Sequence, residues 1–170
     1  MTMTHYMELL ATAQPWHLLL FMAVPVILAE TIAISELYLL FTRNFSGAVA
    51  HLSHYCGIFA GAYFLGVFVY LLLNAVLPLT TGGGWRGPAD IIAVLFYLAG
   101  VVPLGGIALL EVGVLGKGRD AEGRLKLHAT FVALFLVVAH VAMIFGMLNP
   151  EILGWTPLPA LPVQAAPMQM

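Results

Sequence analysis

Four long apolar stretches dominate the sequence and restrict the chain to one class of fold. The stretches cover 16–41, 51–79, 89–115 and 125–148, and each can cross about 30 Å of hydrocarbon as a helix that rises about 1.5 Å per residue. Charged residues make up only 8% of the chain, whereas soluble domains carry about 25%. The sequence therefore predicts an all-α polytopic membrane protein, a four-transmembrane-helix bundle. A large soluble domain, a nucleic-acid-binding surface and an ordinary cytosolic enzyme fold are excluded.

The distribution of Lys and Arg predicts how the chain crosses the bilayer. Of the six basic residues, Arg86 lies in the second predicted loop. The other five lie in or beside the first and third loops: Arg43, Lys117, Arg119, Arg124 and Lys126. Positive residues are enriched in cytoplasmic loops. We therefore expect loops 1 and 3 on the cytoplasmic side and both termini outside.

The predicted transmembrane domain covers 1–149 and is followed by a proline-rich tail. The tail, 150–170, contains five prolines and little charge, so we expect it to be extended and flexible. The lone Cys56 cannot form a disulfide within the chain.

Six ionisable residues within the predicted spans need a specific explanation, because a charge near the bilayer centre costs at least about 2.5 kcal/mol. They are Glu30, Glu36, His54, Glu111, His128 and His140. Counted from the predicted cytoplasmic ends, four of them, one on each span, lie about 5 to 8 Å deep. Glu30 and His140 lie about 17 and 23 Å deep and form a second predicted layer. His17, His51 and Asp90 lie at span ends, where ordinary interface residues are common.

This set of side chains supports three kinds of chemistry. Carboxylate oxygen and imidazole nitrogen together suit a transition metal ion such as iron, manganese or zinc. The same groups can exchange protons and would form a relay in a coupled transporter. The simplest alternative is hydrogen bonding between helices, without further chemistry.

Haem is a further alternative. His54 with His128 would make one bis-imidazole pair, and His17 with His140 a second, which is the general layout of small four-helix di-haem b-type cytochromes. Haem b gives no reason for the three carboxylates.

Proline and glycine predict local features of the helices. Pro25 and Pro103 each remove a backbone N–H and should loosen the helix about four residues earlier. Small residues four apart on the second span, and glycines on the third, predict close helix contacts. They are Gly57, Gly61, Ala62 and Gly66, then Gly100, Gly105 and Gly106.

Three stretches carry a family resemblance: PWHLLLFMAVPVILAETIAISELYLLFTR, WRGPADIIAVLFYLAGVVPLGGIALLE and LHATFVALFLVVAHVAMIFGML. The chain from Met3 to Asn149 resembles a family of small bacterial four-helix membrane proteins of unassigned function that are often labelled permease. The resemblance implies the fold and a bacterial inner (cytoplasmic) membrane, and it transfers no site residue.

We therefore expect a small permease-like protein whose six intramembrane Glu and His residues bind a transition metal ion or relay protons, with Glu111 and His128 as the leading candidates. No catalytic residue is assigned. The alternatives are a redox protein that exchanges electrons with the quinone pool, through haem b or a non-haem metal, and a non-catalytic subunit of a larger membrane complex. The expected partners are the lipid bilayer and a second copy or a membrane complex.

Overall fold

The computed structural model describes residues 3–157, and within this range the chain is helical and contains no β-strand. A short helix, α1 (His5–Ala11), precedes four long helices and a final 3₁₀ helix at Pro150–Leu153. The long helices are α2 (Trp16–Thr42), α3 (Ala48–Gly82), α4 (Gly87–Glu111) and α5 (Ala121–Met147), each long and apolar enough to cross a membrane. The predicted fold class is confirmed: the protein is an all-α, multi-pass membrane protein.

The end of α4 differs from the predicted span, which continued to residue 115. The helix ends at Glu111, because Gly113 and Gly116 adopt the left-handed backbone with φ of 75° and 73°. Glycine takes this conformation without steric cost and commonly ends helices. Glu111 is therefore the last residue of α4, beside the loop, and does not lie a turn inside the helix.

Prolines loosen two of the helices where the sequence predicted it. Residues Leu19–Ala23 form a π-helical segment of α2 before Pro25, and α4 is interrupted at Gly100, three residues before Pro103. Pro25 cannot donate a hydrogen bond to the Phe21 carbonyl, which instead accepts one from the Tyr97 hydroxyl at 2.5 Å. A second π-helical segment, Leu72–Val76, precedes Pro78 in α3.

The four long helices pack into a bundle in which α3 lies between α2 and α4, and α5 contacts both α4 and α2. Small residues allow the close contacts. A Cβ atom on Gly61 would lie 2.6 Å from the Leu104 carbonyl oxygen of α4, and one on Gly106 would lie 2.8 Å from Phe131 of α5. The prediction of tight helix contacts is thus confirmed at Gly61 and Gly106. It is wrong at Gly66 and Gly105, where an added Cβ would meet no other helix of residues 3–157 within 4 Å.

The opposite end of the bundle from loops 1 and 3 is closed by α1 and the 3₁₀ helix. Pro150, the first residue of the predicted flexible tail, is buried. The 3₁₀ helix forms there because the Asn149 side chain accepts a hydrogen bond from the Glu151 N–H, and Trp155 packs against Gly87 at the start of α4. Residues 158–170 of the predicted tail lie outside the described part of the chain.

Candidate functional site

Four ionisable side chains, one from each long helix, meet at the end of the bundle that carries loops 1 and 3. We call them the Glu/His cluster: Glu36 of α2, His54 of α3, Glu111 of α4 and His128 of α5. His54 Nδ1 lies 2.6 Å from Glu111 Oε2, and His128 Nε2 lies 2.9 Å from Glu111 Oε1. His128 Nδ1 contacts Glu36 Oε1. The four side chains therefore form a row in the order Glu36, His128, Glu111, His54.

A glycine on α3 makes room for the middle of this row. A Cβ atom at Gly57 would lie 3.1 Å from Glu111 Cγ and 3.3 Å from His128 Nε2. Both distances are shorter than an ordinary van der Waals contact. The absence of a side chain at Gly57 thus lets α3 approach the carboxylate and the imidazole, and it brings His54, one turn earlier on α3, within reach of Glu111.

The Glu/His cluster runs from the buried core towards the surface. The side chains of Glu36 and His128 are 4% and 3% exposed, that of Glu111 is 15% exposed, and that of His54 is 39% exposed. An open cavity of about 200 Å³ lies alongside and is lined by both cluster and loop residues, among them Glu111, His128, Phe45 of loop 1 and Arg124 at the start of α5. The cavity borders the cluster at the loop-1 and loop-3 end of the bundle.

Glu30 and His140, the two remaining residues of the predicted set, are not part of the cluster. Both line a second cavity of about 240 Å³ between α2 and α5. The His140 Nδ1–H donates a hydrogen bond of 2.6 Å to the Leu136 carbonyl in its own helix. The structure therefore separates the six predicted residues into a row of four and a pair around a different cavity.

Comparison with known proteins places the chain in a family. A family model described as a family of unknown function, DUF6803, matches residues 1–160. The chain belongs to this family. No curated protein and no solved structure matches the chain. Membership of DUF6803 agrees with the resemblance to a family without an assigned function, and it assigns no role to any residue.

The histidines considered as haem ligands each contact another group of the protein in this DUF6803 member. Both nitrogens of His128 lie against carboxylate oxygens, and His54 Nδ1 lies against Glu111. His17 Nδ1–H donates to the Leu9 carbonyl at 3.0 Å. An imidazole needs one free nitrogen to bind iron, so His128 could join a haem pair only after leaving one of its carboxylates.

The contacts of His128 also bear on metal binding. Its two nitrogens face two carboxylates on opposite sides of the ring, so the donor atoms of the cluster are spread along a row and do not converge on one point. Among residues 3–157, no group of three His, Cys, Asp or Glu side chains is arranged to hold a metal ion. In the same range, neither His128 nitrogen has a hydrogen bond of ordinary geometry, although each lies close to a carboxylate oxygen.

His5 and Asp90 form a further pair at the opposite end of the bundle, and their pairing was not predicted from the sequence. Asp90 is fully buried, and its Oδ2 lies 2.6 Å from His5 Nδ1 of α1. The His5 and Arg86 backbone N–H groups also donate to this carboxylate, at 2.7 and 3.2 Å. Asp90 is therefore not the ordinary interface residue that was expected. The sequence did offer one indication of this pair, because the predicted topology places His5 and Asp90 on the same side of the membrane.

Proposed function

We propose that the protein is a small permease-like membrane protein that relays protons through the Glu/His cluster. The observation that carries this proposal is the alternation of carboxyl and imidazole groups in one row, with His128 between Glu36 and Glu111. An imidazole can accept a proton at one ring nitrogen and release one from the other. A histidine between two carboxyl groups is therefore suited to pass protons between them.

Counting charges shows how the row can hold protons inside a membrane. If both carboxyl groups are ionised and both imidazoles are protonated, the row is neutral overall and holds two exchangeable protons. If both carboxyl groups are protonated and both imidazoles are neutral, it is again neutral and holds the same two protons. Burial strongly disfavours a net charge. Protons can thus move within the row without creating an isolated buried charge.

The cavity beside the cluster supports a route from one side of the membrane. It reaches Glu111 and His128 from loop 1 and the start of α5. The positive residues of loops 1 and 3 favour the cytoplasmic side for this end, with both termini outside and the protein in the bacterial inner membrane. Four helices leave little room for a complete transport path, so we place the functional unit in a homodimer or a larger membrane complex.

Proton relay is favoured over the other chemistries that the sequence predicted. A transition metal ion such as iron, manganese or zinc requires donor atoms at about 2.0 to 2.2 Å from one point, whereas the cluster atoms lie in a row. A bis-imidazole haem b site, which a redox protein working with the quinone pool would need, requires His128 to leave a carboxylate. Proton exchange needs neither convergence of the donor atoms on one point nor movement of His128 away from a carboxylate.

Proton flux into reconstituted vesicles tests the proposal. The full chain is incorporated into liposomes that contain a pH-sensitive dye, and a potassium diffusion potential drives proton entry. We expect flux above that of protein-free vesicles, and we expect Glu36→Gln and Glu111→Gln to reduce it by at least about tenfold, because each removes a proton-exchanging group.

Glu122→Gln is the matched control, because Glu122 is a carboxylate at the surface that pairs with Arg43 and Lys126 outside the cluster. It should keep wild-type flux. Flux that is unchanged in Glu36→Gln and Glu111→Gln, in protein that remains folded and monodisperse, would contradict the relay. Elemental analysis of the same purified protein separates the alternatives, since near-stoichiometric iron, manganese or zinc would favour a metal site.

A further inference from the structure

The cavity between α2 and α5 has the character of a ligand site. Its volume is about 240 Å³, and its lining is mainly apolar and aromatic, with Phe21, Tyr97 and Phe135 among the wall residues. Two ionisable side chains, Glu30 and His140, complete the lining. A concave, largely apolar space with a few polar groups is the usual form of a small-molecule site.

The polar groups of this cavity present hydrogen-bond acceptors. The His140 Nδ1–H donates to the Leu136 carbonyl, so Nε2 of the neutral ring carries a lone pair. The Tyr97 hydroxyl donates its proton to the Phe21 carbonyl, so its oxygen can only accept from a ligand. An ionised Glu30 is likewise an acceptor only. All three groups offer lone pairs, which favour a ligand that donates hydrogen bonds or carries a positive charge.

Glu30 also needs a positive partner. It lies 14 residues from Trp16 and 12 from Thr42, the ends of α2, and so sits near the middle of the membrane-spanning helix. Within residues 3–157, no hydrogen bond or ion pair involves its carboxylate. A carboxylate at this depth is costly unless it is paired or protonated. A bound cation would neutralise it.

We infer that this cavity binds a small lipophilic cation, such as a quaternary or protonated amine with an apolar body. Glu30 would supply the opposite charge, and the aromatic faces would attract the cation through their quadrupoles. The apolar body would occupy the remaining wall, and the ligand would enter from the bilayer, since the neighbouring Ile27 is 59% exposed on the outer surface of the bundle. This inference uses no residue of the Glu/His cluster and stands apart from the proton relay.

Equilibrium dialysis of the detergent-solubilised full chain tests the inference, with radiolabelled phenyltrimethylammonium as the probe. We expect one saturable site per chain. Glu30→Gln keeps the size of the side chain and removes its charge, and the loss of the Coulomb attraction should weaken binding by at least about tenfold. Glu122→Gln, the loss of a surface carboxylate, should bind as the wild type does. Glu36→Gln should also retain binding, so that failure of the relay and failure of this site can be told apart.

A neutral competitor distinguishes a cation site from a general apolar one. tert-Butylbenzene has the shape of phenyltrimethylammonium without the charge, and we expect it to compete poorly. Equal competition by both compounds, the absence of saturable binding, or unchanged affinity in Glu30→Gln would each overturn the inference. A neutral hydrogen-bond donor such as a hydroquinone could also displace the probe. If Glu30→Gln still bound the hydroquinone, the site would take a neutral ligand and the inference of a cation site would be wrong.

A measurement on the wild-type protein covers the case in which Glu30→Gln does not fold. A hydrophobic carbodiimide reacts with carboxyl groups in apolar surroundings, and mass spectrometry locates the modified residue. We expect phenyltrimethylammonium to protect Glu30 from modification and to leave labelling of Glu36 unchanged. Labelling of Glu30 that does not respond to the probe would contradict the inference.

Discussion

Replacing Gly61 with alanine tests how closely α3 and α4 pack. The new Cβ would lie 2.4 Å from Ala108 Cβ and 2.6 Å from the Leu104 carbonyl oxygen, whereas carbon atoms in contact prefer about 3.5 to 4.0 Å. The overlap exceeds about 1 Å, and the near atoms belong to a backbone and a methyl group that cannot rotate away. The two helices must therefore separate, and this overpacking should cost about 1 to 3 kcal/mol of stability.

Gly66 provides the control on the same helix. An added Cβ there would meet no other helix within 4 Å in the described part of the chain, so Gly66→Ala should only remove the conformational freedom of glycine. That change stabilises a helix by about 0.5 to 1 kcal/mol. The two substitutions are chemically identical and should have effects of opposite sign.

Unfolding in mixed micelles of mild detergent and dodecyl sulfate, followed by far-ultraviolet circular dichroism, measures both effects. Both variants share the gain from replacing glycine, so we expect Gly61→Ala to be less stable than Gly66→Ala by the overpacking cost alone, about 1 to 3 kcal/mol. Equal stabilities of the two variants would refute the packing argument, because they would show that α3 and α4 do not approach each other at Gly61.

Three other substitutions test separate parts of the structure. His128→Ala leaves Glu36 and Glu111 without the imidazole that they share, and it should lower the free energy of unfolding by about 3 to 5 kcal/mol. A decrease below about 1 kcal/mol in the same unfolding assay would argue against a buried cluster. Tyr97→Phe removes the hydrogen bond to the buried Phe21 carbonyl and should cost about 1 to 3 kcal/mol. An effect no larger than that of Tyr63→Phe, which removes a hydrogen bond to the less buried Leu20 carbonyl, would contradict this assignment. Burial raises the pKa of Tyr6 from 10.0 to about 12. As the pH rises, the Tyr6 hydroxyl therefore ionises in the unfolded chain before it ionises in the folded protein. About 2 to 3 kcal/mol of stability should be lost between pH 10 and 12. Stability curves of the wild type and Tyr6→Phe that stay parallel over this interval would show that the hydroxyl is not buried.

The four long helices could be predicted from the sequence because hydropathy and length alone define a membrane span. The ends of the helices were harder to predict. Val112, Val114 and Leu115 are as apolar as the helix before them, yet Gly113 and Gly116 take the left-handed backbone and end α4 at Glu111. Apolar composition cannot show where a left-handed glycine stops a helix.

The members of the Glu/His cluster could be named from the sequence, because ionisable residues inside a membrane are costly and need a reason. Their order could not be predicted. His128 lies between Glu36 and Glu111, and this arrangement depends on how each helix is rotated about its own axis. Burial of Asp90 was missed for a related reason, since it depends on α1 folding back to bring His5 against it.

The separation of Glu30 from Glu36 was partly visible in the sequence. At about 100° per residue, a step of six residues leaves two side chains about 120° apart around a helix. One narrow face cannot hold both. In the structure, Glu36 lies in the Glu/His cluster and Glu30 lines the cavity between α2 and α5.

The most direct test of the account is whether the four groups of the Glu/His cluster exchange protons as one unit. Infrared difference spectroscopy of the reconstituted protein during a pH titration follows carboxyl and imidazole bands at the same time. If the groups act as one unit, carboxyl and imidazole bands change together in the wild type, and Glu36→Gln or Glu111→Gln alters the imidazole signal as well as removing a carboxyl signal. Carboxyl and imidazole bands that titrate independently, with an imidazole signal unaffected by either substitution, would contradict the proton relay.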